Sequence, residues 1–311
     1  MKLGVFLAVY HDRSFEDALD QAVALGVDTV EIATGNYPGD DHCRPADLLA
    51  DGRSLDAFQG ALERRCLQIS ALSQHGNPLH PDPAIARATH DTWRATVQLA
   101  AALGVRVVNA FSGCPGDHDG AVRPNWVTCS WPPDYPDTLA WQWEQKVIPY
   151  WTAEAHFAAD HGVTVGIEMH PGFVVYNPAT LVRLRDACGP AIAANFDPSH
   201  LFWQGIDPAV AIRHLGEHAA IAHVDAKDTA LAAGTIVLNG VLETRPAADT
   251  GDRAWAFRTI GFGHGHDVWG DMISALRLAG YDGAVCIEHE DRSLPADVGL
   301  DKAVKFLASL L

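Results

Sequence analysis

Four predicted strands of the chain end in ionisable side chains. They are Glu168 in VGIEMHP, Asp197 in NFDPSH, His223 in AHVDAKD and Glu288 in CIEHED. Each closes an apolar run, where an unpaired charge is costly to bury, and a shared divalent cation removes that cost. Three carboxylates with one imidazole suit Mn²⁺ first, with Mg²⁺, Co²⁺ or Zn²⁺ as the other candidates. The set predicts one metal site, although a salt bridge or a strand-end cap is the alternative for any one residue alone.

Such a site has a definite chemistry. A cation chelated by a hydroxy-ketone or hydroxy-aldehyde polarises the carbonyl group and stabilises the enediolate that forms when a neighbouring proton leaves. Glu168 and Glu288 come from the fifth and eighth predicted strands, so they can approach a substrate from different directions as an acid/base pair. This arrangement serves epimerisation and aldose–ketose isomerisation equally. It also serves β-elimination, in which the second group protonates a leaving oxygen.

The elements that must position these residues alternate between short β-branched runs and longer amphipathic stretches, the pattern of repeated βα units. The eight predicted strands are LGVFLAV (from Leu3), TVEIAT (Thr29), LQISALSQH (Leu67), VRVVNAF (Val105), VTVGIEMH (Val163), IAANFDPSH (Ile192), IAHVDAKD (Ile221) and GAVCIEHE (Gly283). Predicted helices include SFEDALDQAVAL, PAIARATHDTWRATVQLAAAL and NPATLVRLRDAC. Eight units in 311 residues predict a single (β/α)8 TIM barrel, one domain over residues 1–311.

Two stretches interrupt the regular repeat, after strands 4 and 7. The first runs from Ser112 to about Tyr150 and is rich in proline and tryptophan; the second lies between Thr229 and His266. Both follow the carboxyl end of a strand, where barrel enzymes build their sites, so they are interpreted as long loops that cover a pocket. An oligomer interface is the equal alternative, because exposed tryptophan also serves there.

The motifs GIEMHP, NFDPSH, HVDAKD and RTIGFGHGHD, in this order at strand ends, resemble those of the xylose isomerase-like barrels. That family includes ketose 3-epimerases, inosose dehydratases and endonuclease IV. The resemblance implies that the four strand-end residues bind one divalent metal and that the two glutamates act as acid and base. It also implies that His200, three residues after Asp197, and Arg258, just before the GFG turn, contact the substrate.

Three further residues are candidates for substrate binding. His75 ends the third predicted strand, and Asn109 ends the fourth, where endonuclease IV has a metal-binding histidine. Lys227 in HVDAKD could steady an alkoxide or simply pair with a neighbouring aspartate. His170 is expected to point away from the barrel mouth, because side chains alternate along a strand. The amides of GFGHGH could hold a phosphate, but the scarcity of Lys and Arg nearby favours an unphosphorylated substrate.

Composition excludes some classes of function. The 22 Lys and Arg against 39 Asp and Glu give a net charge of −17, which repels nucleic acid and anionic membranes. Trp255 and Phe257 stand where endonuclease IV has metal ligands, which also argues against DNA repair. The N-terminus does not have the pattern of a signal peptide, no apolar run reaches membrane-spanning length, and the six scattered cysteines form no CxxC pair. These features predict a cytoplasmic protein without disulfides.

The sequence therefore predicts a metal-dependent sugar isomerase or epimerase. A lyase or dehydratase that acts on a keto-sugar, keto-glycoside or inosose is the first alternative. A non-catalytic sugar-binding subunit is the second. The expected partner is a small sugar or sugar derivative, and a homo-oligomer is left open.

Overall fold

The computed structural model describes residues 1–247 and 252–311. Its ten strands in chain order are β1 Lys2–Phe6, β2 Thr29–Ala33, β3 Gln68–Ser73, β4 Val107–Phe111, β5 Thr164–Glu168, β6 Ile192–Phe196, β7 Ile221–Ala226, β8 Asp228–Leu231, β9 Trp255–Arg258 and β10 Ala284–Ile287. Strands β1 to β7 and β10 form a closed barrel in which each strand pairs in parallel with its neighbours, and β10 closes it against β1. The predicted eight-stranded barrel is thus confirmed.

Helices surround the barrel. They are α1 Phe15–Leu25, α2 Pro45–Ala50, α3 Gly52–Glu63, α4 Pro83–Leu103, α5 Asp134–Trp141, α6 Ile148–Asp160, α7 Pro178–Cys188, α8 Ser199–Phe202, α9 Pro208–Glu217, α10 Ala233–Asn239, α11 His266–Leu278 and α12 Ala296–Ala308. A 3₁₀ turn, Leu7–Tyr10, follows β1, and a π-helical turn, Gln142–Val147, joins α5 to α6.

Local sequence signals set the helix ends. The Ser14 side chain accepts a hydrogen bond from the Asp17 amide at the start of α1, and Asn177 forms a capping box with Thr180 at the start of α7. Helix α4 ends at Gly104, whose φ of 70° lies in the left-handed region that glycine adopts without steric cost. These caps fix the residues at which the helices begin and end.

The apolar core lies between the outer face of the strands and the inner faces of the helices. Trp93 of α4 and Trp151 of α6 are fully buried there and meet edge to face, with ring centroids 5.6 Å apart. Trp151 also donates a hydrogen bond to the Ser112 carbonyl, which fixes the chain just beyond β4. The barrel lumen is different, because many of its buried side chains are polar.

The two irregular stretches have structure of their own. The stretch after β4 contains α5 and the π-helical turn, and its Trp143 is buried whereas Trp131 is 75% exposed. After β7, strands β8 and β9 pair antiparallel, which sets Phe257 over the barrel mouth. In the GFGHGH turn, the amides of Gly261, Gly263 and His264 donate to the buried Asp228 carboxylate at 3.0–3.1 Å. The Asp228 carboxylate therefore occupies the amides to which the sequence analysis assigned a possible phosphate.

Among the residues that the structure describes, no helix combines the length and the apolar character needed to cross a membrane.

Candidate active site at the strand ends

Four ionisable residues stand at the carboxyl ends of four barrel strands. Glu168 is the last residue of β5, and Asp197, Lys227 and Glu288 follow immediately after β6, β7 and β10. Three of these were expected from the sequence to form the site, and Lys227 takes the position that the sequence analysis gave to His223. The difference arises because β7 runs on to Ala226, so His223 lies inside the strand rather than at its end.

The Lys227 ammonium is the centre of this group. It is 3% exposed, and its Nζ lies 3.0 Å from Asp197 Oδ2, 2.7 Å from Glu288 Oε2 and 3.2 Å from Glu290 Oε2. Burial acts to lower the pKa of Lys227, but these carboxylates outweigh it and raise that pKa well above its ordinary value. The lysine is therefore charged at neutral pH and offsets part of the local negative charge.

Two histidines flank the Glu168 carboxylate. His75 Nε2 lies 2.9 Å from Oε2, and His200 Nε2 lies 3.2 Å from Oε1 and also 3.2 Å from Asp197 Oδ2. Burial acts to raise the pKa of Glu168, but the two histidines and Lys227 outweigh it and hold that pKa well below its usual range. Burial lowers the pKa of His200 to about 3, so its imidazole is neutral near pH 7.

The pKa values of the other two carboxyl groups, Glu288 and Asp197, are raised instead of lowered. Burial raises the pKa of Glu288 well above its ordinary value, against the opposing effect of Lys227. Burial likewise raises the pKa of Asp197 to about 7, again against Lys227 and with help from the Glu168 charge. Glu168 is thus held as a carboxylate, whereas the pKa of Glu288 is shifted toward protonation although Lys227 opposes that shift. Opposed pKa shifts of this kind mark the base and the acid of an acid/base pair.

A cavity of about 380 Å³ opens onto this group. Its lining includes His75, Glu168, Lys227 and Glu288. The aromatic part of the wall comes from Phe6, Tyr37, Phe111 and Phe173, of which the last two are stacked with centroids 4.3 Å apart. His170 also lines the cavity and packs against His200 at 4.0 Å between centroids. The prediction that His170 points away was wrong, because β5 ends at Glu168 and strand alternation stops there.

His223 and Asn109 belong to a second cluster, which we call the interior polar group: Glu31, Ser70, Ser73, Asn109, Asn195, His223, Asp225 and Cys286. His223 Nδ1 lies 3.2 Å from both Asp225 Oδ1 and Asn195 Oδ1, and its Nε2 lies 3.1 Å from Ser70 Oγ. Asn109 donates to Glu31 Oε1 at 3.0 Å. The structure therefore does not bring His223 or Asn109 among the strand-end residues.

Glu31 is a carboxyl group of the interior polar group whose hydrogen bonds do not compensate fully for its burial. It is fully buried, and its Oε2 has no hydrogen-bond partner among the described residues. Burial, together with the neighbouring Asp225 carboxylate, raises the pKa of Glu31 well above its ordinary value. Burial acts to raise the pKa of Asp225, but His223 and the neighbouring Glu31 carboxyl group together outweigh it, so that pKa is lowered. Glu31 is therefore the protonated member of this carboxyl pair.

Arg258 lies apart from both groups. It donates to Ser293 Oγ, and its Nη1 is 3.5 Å from Asp291 Oδ1. It lines a neighbouring cavity rather than the one above Lys227. The predicted substrate-binding residues thus divide among three places: His75, His200 and Lys227 at the strand ends, Asn109 in the interior and Arg258 in the second cavity.

Two sets of described residues have the donor atoms for a metal ion. Glu168, His170 and His200 form one, and Glu31, His223 and Cys286 form the other, each with ligand atoms within 4.8 Å of one another. In the first set the carboxylate is ionised and burial lowers the pKa of both imidazoles, which are the protonation states that metal binding requires. In the second, burial raises the pKa of Cys286 and Glu31, which disfavours a bound cation. The first set fits a divalent cation better.

Several residues of these groups were not singled out from the sequence. Glu31 and Asp225 are charged residues within apolar strands, which is a signal that the sequence does carry. Glu290 gave no such signal, because it follows β10 in an acidic run.

The comparisons with known proteins agree with this architecture. The family model of the xylose isomerase-like TIM barrel matches residues 19–310. The uncharacterised protein YfiH of Bacillus subtilis strain 168 is 38% identical over 310 residues, covering 99% of this chain and 98% of YfiH. Among solved structures, the probable 3-DHS dehydratase AsbF of Bacillus anthracis superposes with a TM-score of 0.70 at 16% identity, covering 99% of each chain.

A D-tagatose 3-epimerase-like protein superposes with a TM-score of 0.68 at 18% identity, covering 100% of this chain and 97% of that one. At these identities the two structural likenesses establish the fold alone. The family match spans nearly the whole barrel and agrees with the resemblance found in the strand-end motifs. The chain belongs to the xylose isomerase-like TIM barrel family.

Proposed function

We propose that the protein is an enzyme that transfers a proton at the carbon next to the carbonyl group of a small sugar or sugar derivative, as an isomerase or epimerase. The observation that carries the proposal is the pair Glu168 and Glu288, which line one cavity with opposed pKa shifts. A carboxylate and a carboxylic acid beside one substrate can accept and return a proton in the same cycle.

Glu168 is the proposed base. It takes the proton from the carbon next to the carbonyl group, and the electron pair of that C–H bond moves to the carbonyl oxygen to give an enediolate. The Lys227 ammonium, 2.7 Å from Glu288, supplies positive charge beside the developing oxyanion. Glu288 then donates its proton to the opposite face of the same carbon, or to the neighbouring carbon. The first choice gives an epimer. The second gives an aldose–ketose pair, in which the hydroxyl proton on the deprotonated carbon also moves to the former carbonyl oxygen, so that the carbonyl group changes position.

Glu168, Asp197 and His200, with His170 beside them, are the residues that we propose hold one divalent cation, with Mn²⁺ preferred. When bound, such an ion polarises the carbonyl group and lowers the cost of forming the enediolate. The sequence also suggested His223 and Glu288 as ligands. His223 lies within the interior polar group and Glu288 pairs with Lys227 at 2.7 Å, so both are left out of the proposed set.

Elimination is the second candidate, and the presence of a neighbouring cavity supports it. A cavity of about 590 Å³ shares Glu290 with the strand-end cavity, so there is room for a leaving fragment beside the sugar. In this reaction the Glu288 proton goes to the leaving oxygen instead of to carbon.

Incubation with a panel of ketoses and keto-glycosides in D₂O with Mn²⁺ separates these reactions. An isomerase or epimerase incorporates deuterium into the recovered sugar without losing a fragment, which NMR detects at the carbon next to the carbonyl group. Release of water or an aglycone supports the lyase. If sugar binds but neither outcome occurs, and Glu168→Gln leaves its affinity unchanged, the protein is a sugar-binding module and the proposal is wrong.

The cytoplasmic location and the homo-oligomer also remain proposals. Cell fractionation tests the first, and sedimentation equilibrium tests the second.

A further inference from the structure

The second cavity is lined by an unusual concentration of positive charge. Arg253, Arg258 and Arg292 all line it, in a chain whose net charge is −17. Trp255 and Phe257 of β9 form an aromatic wall beside them. An arginine on an acidic protein normally pairs with a nearby carboxylate. Whether these three arginines have such partners therefore decides whether the cavity can bind an anion.

The carboxylates of this cavity are already engaged. Asp291 is buried and accepts hydrogen bonds from the Thr259 amide and hydroxyl at 2.8 and 2.9 Å and from the Ser293 amide at 2.8 Å. Glu290 directs its Oε2 to Lys227, 3.2 Å away, in the strand-end cavity. Of the three guanidinium groups, Arg258 alone has an ion pair among the described residues, at 3.5 Å from Asp291.

Within residues 1–247 and 252–311, neither Arg253 nor Arg292 has a carboxylate partner, so both can pair with an anion. Arg253 packs against the Trp255 ring at 5.1 Å and donates to main-chain carbonyls, which holds its side chain at the cavity without neutralising its charge. Arg292 is exposed and lies two residues after Glu290. A guanidinium group binds the paired oxygens of carboxylate and phosphate through parallel N–H groups, which a neutral hydroxyl cannot match.

The two cavities adjoin. Glu290 lines both, and Phe257, which lines the arginine cavity, packs against the Lys227 ammonium at 4.7 Å and lies edge-on to His200 at 5.5 Å between centroids. A molecule whose carbonyl group sits beside Lys227 can therefore extend past Phe257 toward the arginines.

We infer that the arginine cavity is a binding subsite for a carboxylate or phosphate group carried by the substrate, so that the substrate is an anionic carbonyl sugar rather than a neutral one. This inference rests on the proposed function for the placement of the carbonyl group. It differs from the expectation drawn from sequence, because Arg253, Arg258 and Arg292 come from a hairpin and a loop that only the fold brings together.

Calorimetric titration with matched probes tests this inference. D-fructose is the neutral probe, D-fructose 6-phosphate carries phosphate, and D-fructuronate carries carboxylate, each with the configuration of fructose. We expect at least one anionic probe to bind about tenfold or more tightly than fructose, and its advantage to shrink as NaCl is raised. Which anionic probe gains the advantage identifies the source of the charge.

The double variant Arg253→Gln with Arg292→Gln should reduce that advantage to about twofold or less. Arg87→Gln, an exposed arginine on α4, is the matched control and should keep it. Equal binding of neutral and anionic probes, no binding of either anionic probe, or an advantage that survives the double variant would each overturn the inference. Deuterium exchange without an anionic advantage counts against the subsite alone, whereas an anionic advantage without exchange or elimination counts against the proposed function alone.

Discussion

The barrel holds two groups of buried ionisable side chains that differ in access. At the strand ends, Glu168, Lys227 and Glu288 line a cavity of about 380 Å³. In the interior, Glu31 and His223 are closed off from solvent, at 0% and 1% exposure, and bond to Asn109 and Ser70. Both groups contain carboxylates and imidazoles, so residue type alone does not separate a reactive site from a polar core. Position along the strand separates them, because the reactive group lies at the strand ends and the polar core lies within the strands.

The charge balance of the two groups differs as well. At the strand ends, His75, His200 and the Lys227 ammonium together outweigh the effect of burial and leave Glu168 ionised. The interior polar group has no lysine or arginine among its members, and Glu31 stays protonated beside Asp225. A glutamate-to-glutamine substitution should therefore have opposite consequences in the two places.

The largest expected effect is on turnover. Glu168→Gln removes the proposed base, and the rate found with the ketose panel should fall by about 10³-fold or more, since a positioned base contributes about 10²–10⁴-fold. Glu31→Gln replaces a protonated carboxyl with a neutral amide of similar shape, and it should keep the rate within about threefold. Steady-state kinetics on both variants, with circular dichroism as the fold control, makes the comparison. Equal losses would place the reaction outside the strand-end group.

The next effect concerns the charge on Lys227. Lys227→Met leaves the buried Asp197 and the partly exposed Glu288 without their cation, which should lower the free energy of unfolding by about 3 kcal/mol or more at pH 7.5. Lys305→Met is the matched control, because the Lys305–Asp301 pair is exposed and should contribute less than about 1 kcal/mol. Urea denaturation measures both. A variant as stable as the control would mean that the three strand-end carboxyls do not depend on the lysine.

The free energy of unfolding, measured across a range of pH, tests whether Glu31 is protonated in the folded protein. The pKa of Glu31 is raised in the folded protein, so the folded state holds a proton that the unfolded chain releases above about pH 4.5. The Glu31 contribution to stability must then fall as pH rises through the range between the unfolded and folded pKa values. The amide that Glu31→Gln introduces does not titrate. Between pH 5 and 8, with EDTA present, the unfolding free energy of the wild type should fall relative to that of this variant; a difference that rises would indicate an ionised Glu31.

The smallest expected effect comes from removing one side-chain hydroxyl in the interior polar group. Ser70→Ala removes the hydroxyl between His223 Nε2 and Cys286 Sγ, each 3.1 Å away. It should lower the free energy of unfolding by about 1–2 kcal/mol while turnover changes less than twofold. Thermal denaturation and kinetics measure the two quantities. A large loss of turnover would show that the interior polar group takes part in the reaction.

Much of the fold was predictable, because each βα unit carries its own periodicity and caps. The predicted helix PAIARATHDTWRATVQLAAAL coincides with α4, and the strand-end positions of Glu168, Asp197 and Glu288 were also read from the apolar runs before them. These features depend on neighbours in sequence, which is why the residues alone reveal them.

The position of His223 was harder to predict because HVDAKD offers three alternating candidates. By strand alternation the sequence places His223, Asp225 and Lys227 on one side, and the choice among them depends on where β7 ends. The contacts of Glu31 with Asn109 and of Ser70 with Cys286 join strands far apart in sequence, and the stagger of the closed barrel sets them. The arginine cavity likewise depends on how the β8–β9 hairpin folds over the mouth.

The location of a bound cation tests the central distinction most directly. Crystals soaked in Mn²⁺ and measured at the manganese absorption edge give an anomalous peak wherever the ion binds. We predict one peak among Glu168, Asp197 and His200. A peak among Glu31, His223 and Cys286, or no peak at the strand ends, would contradict the account.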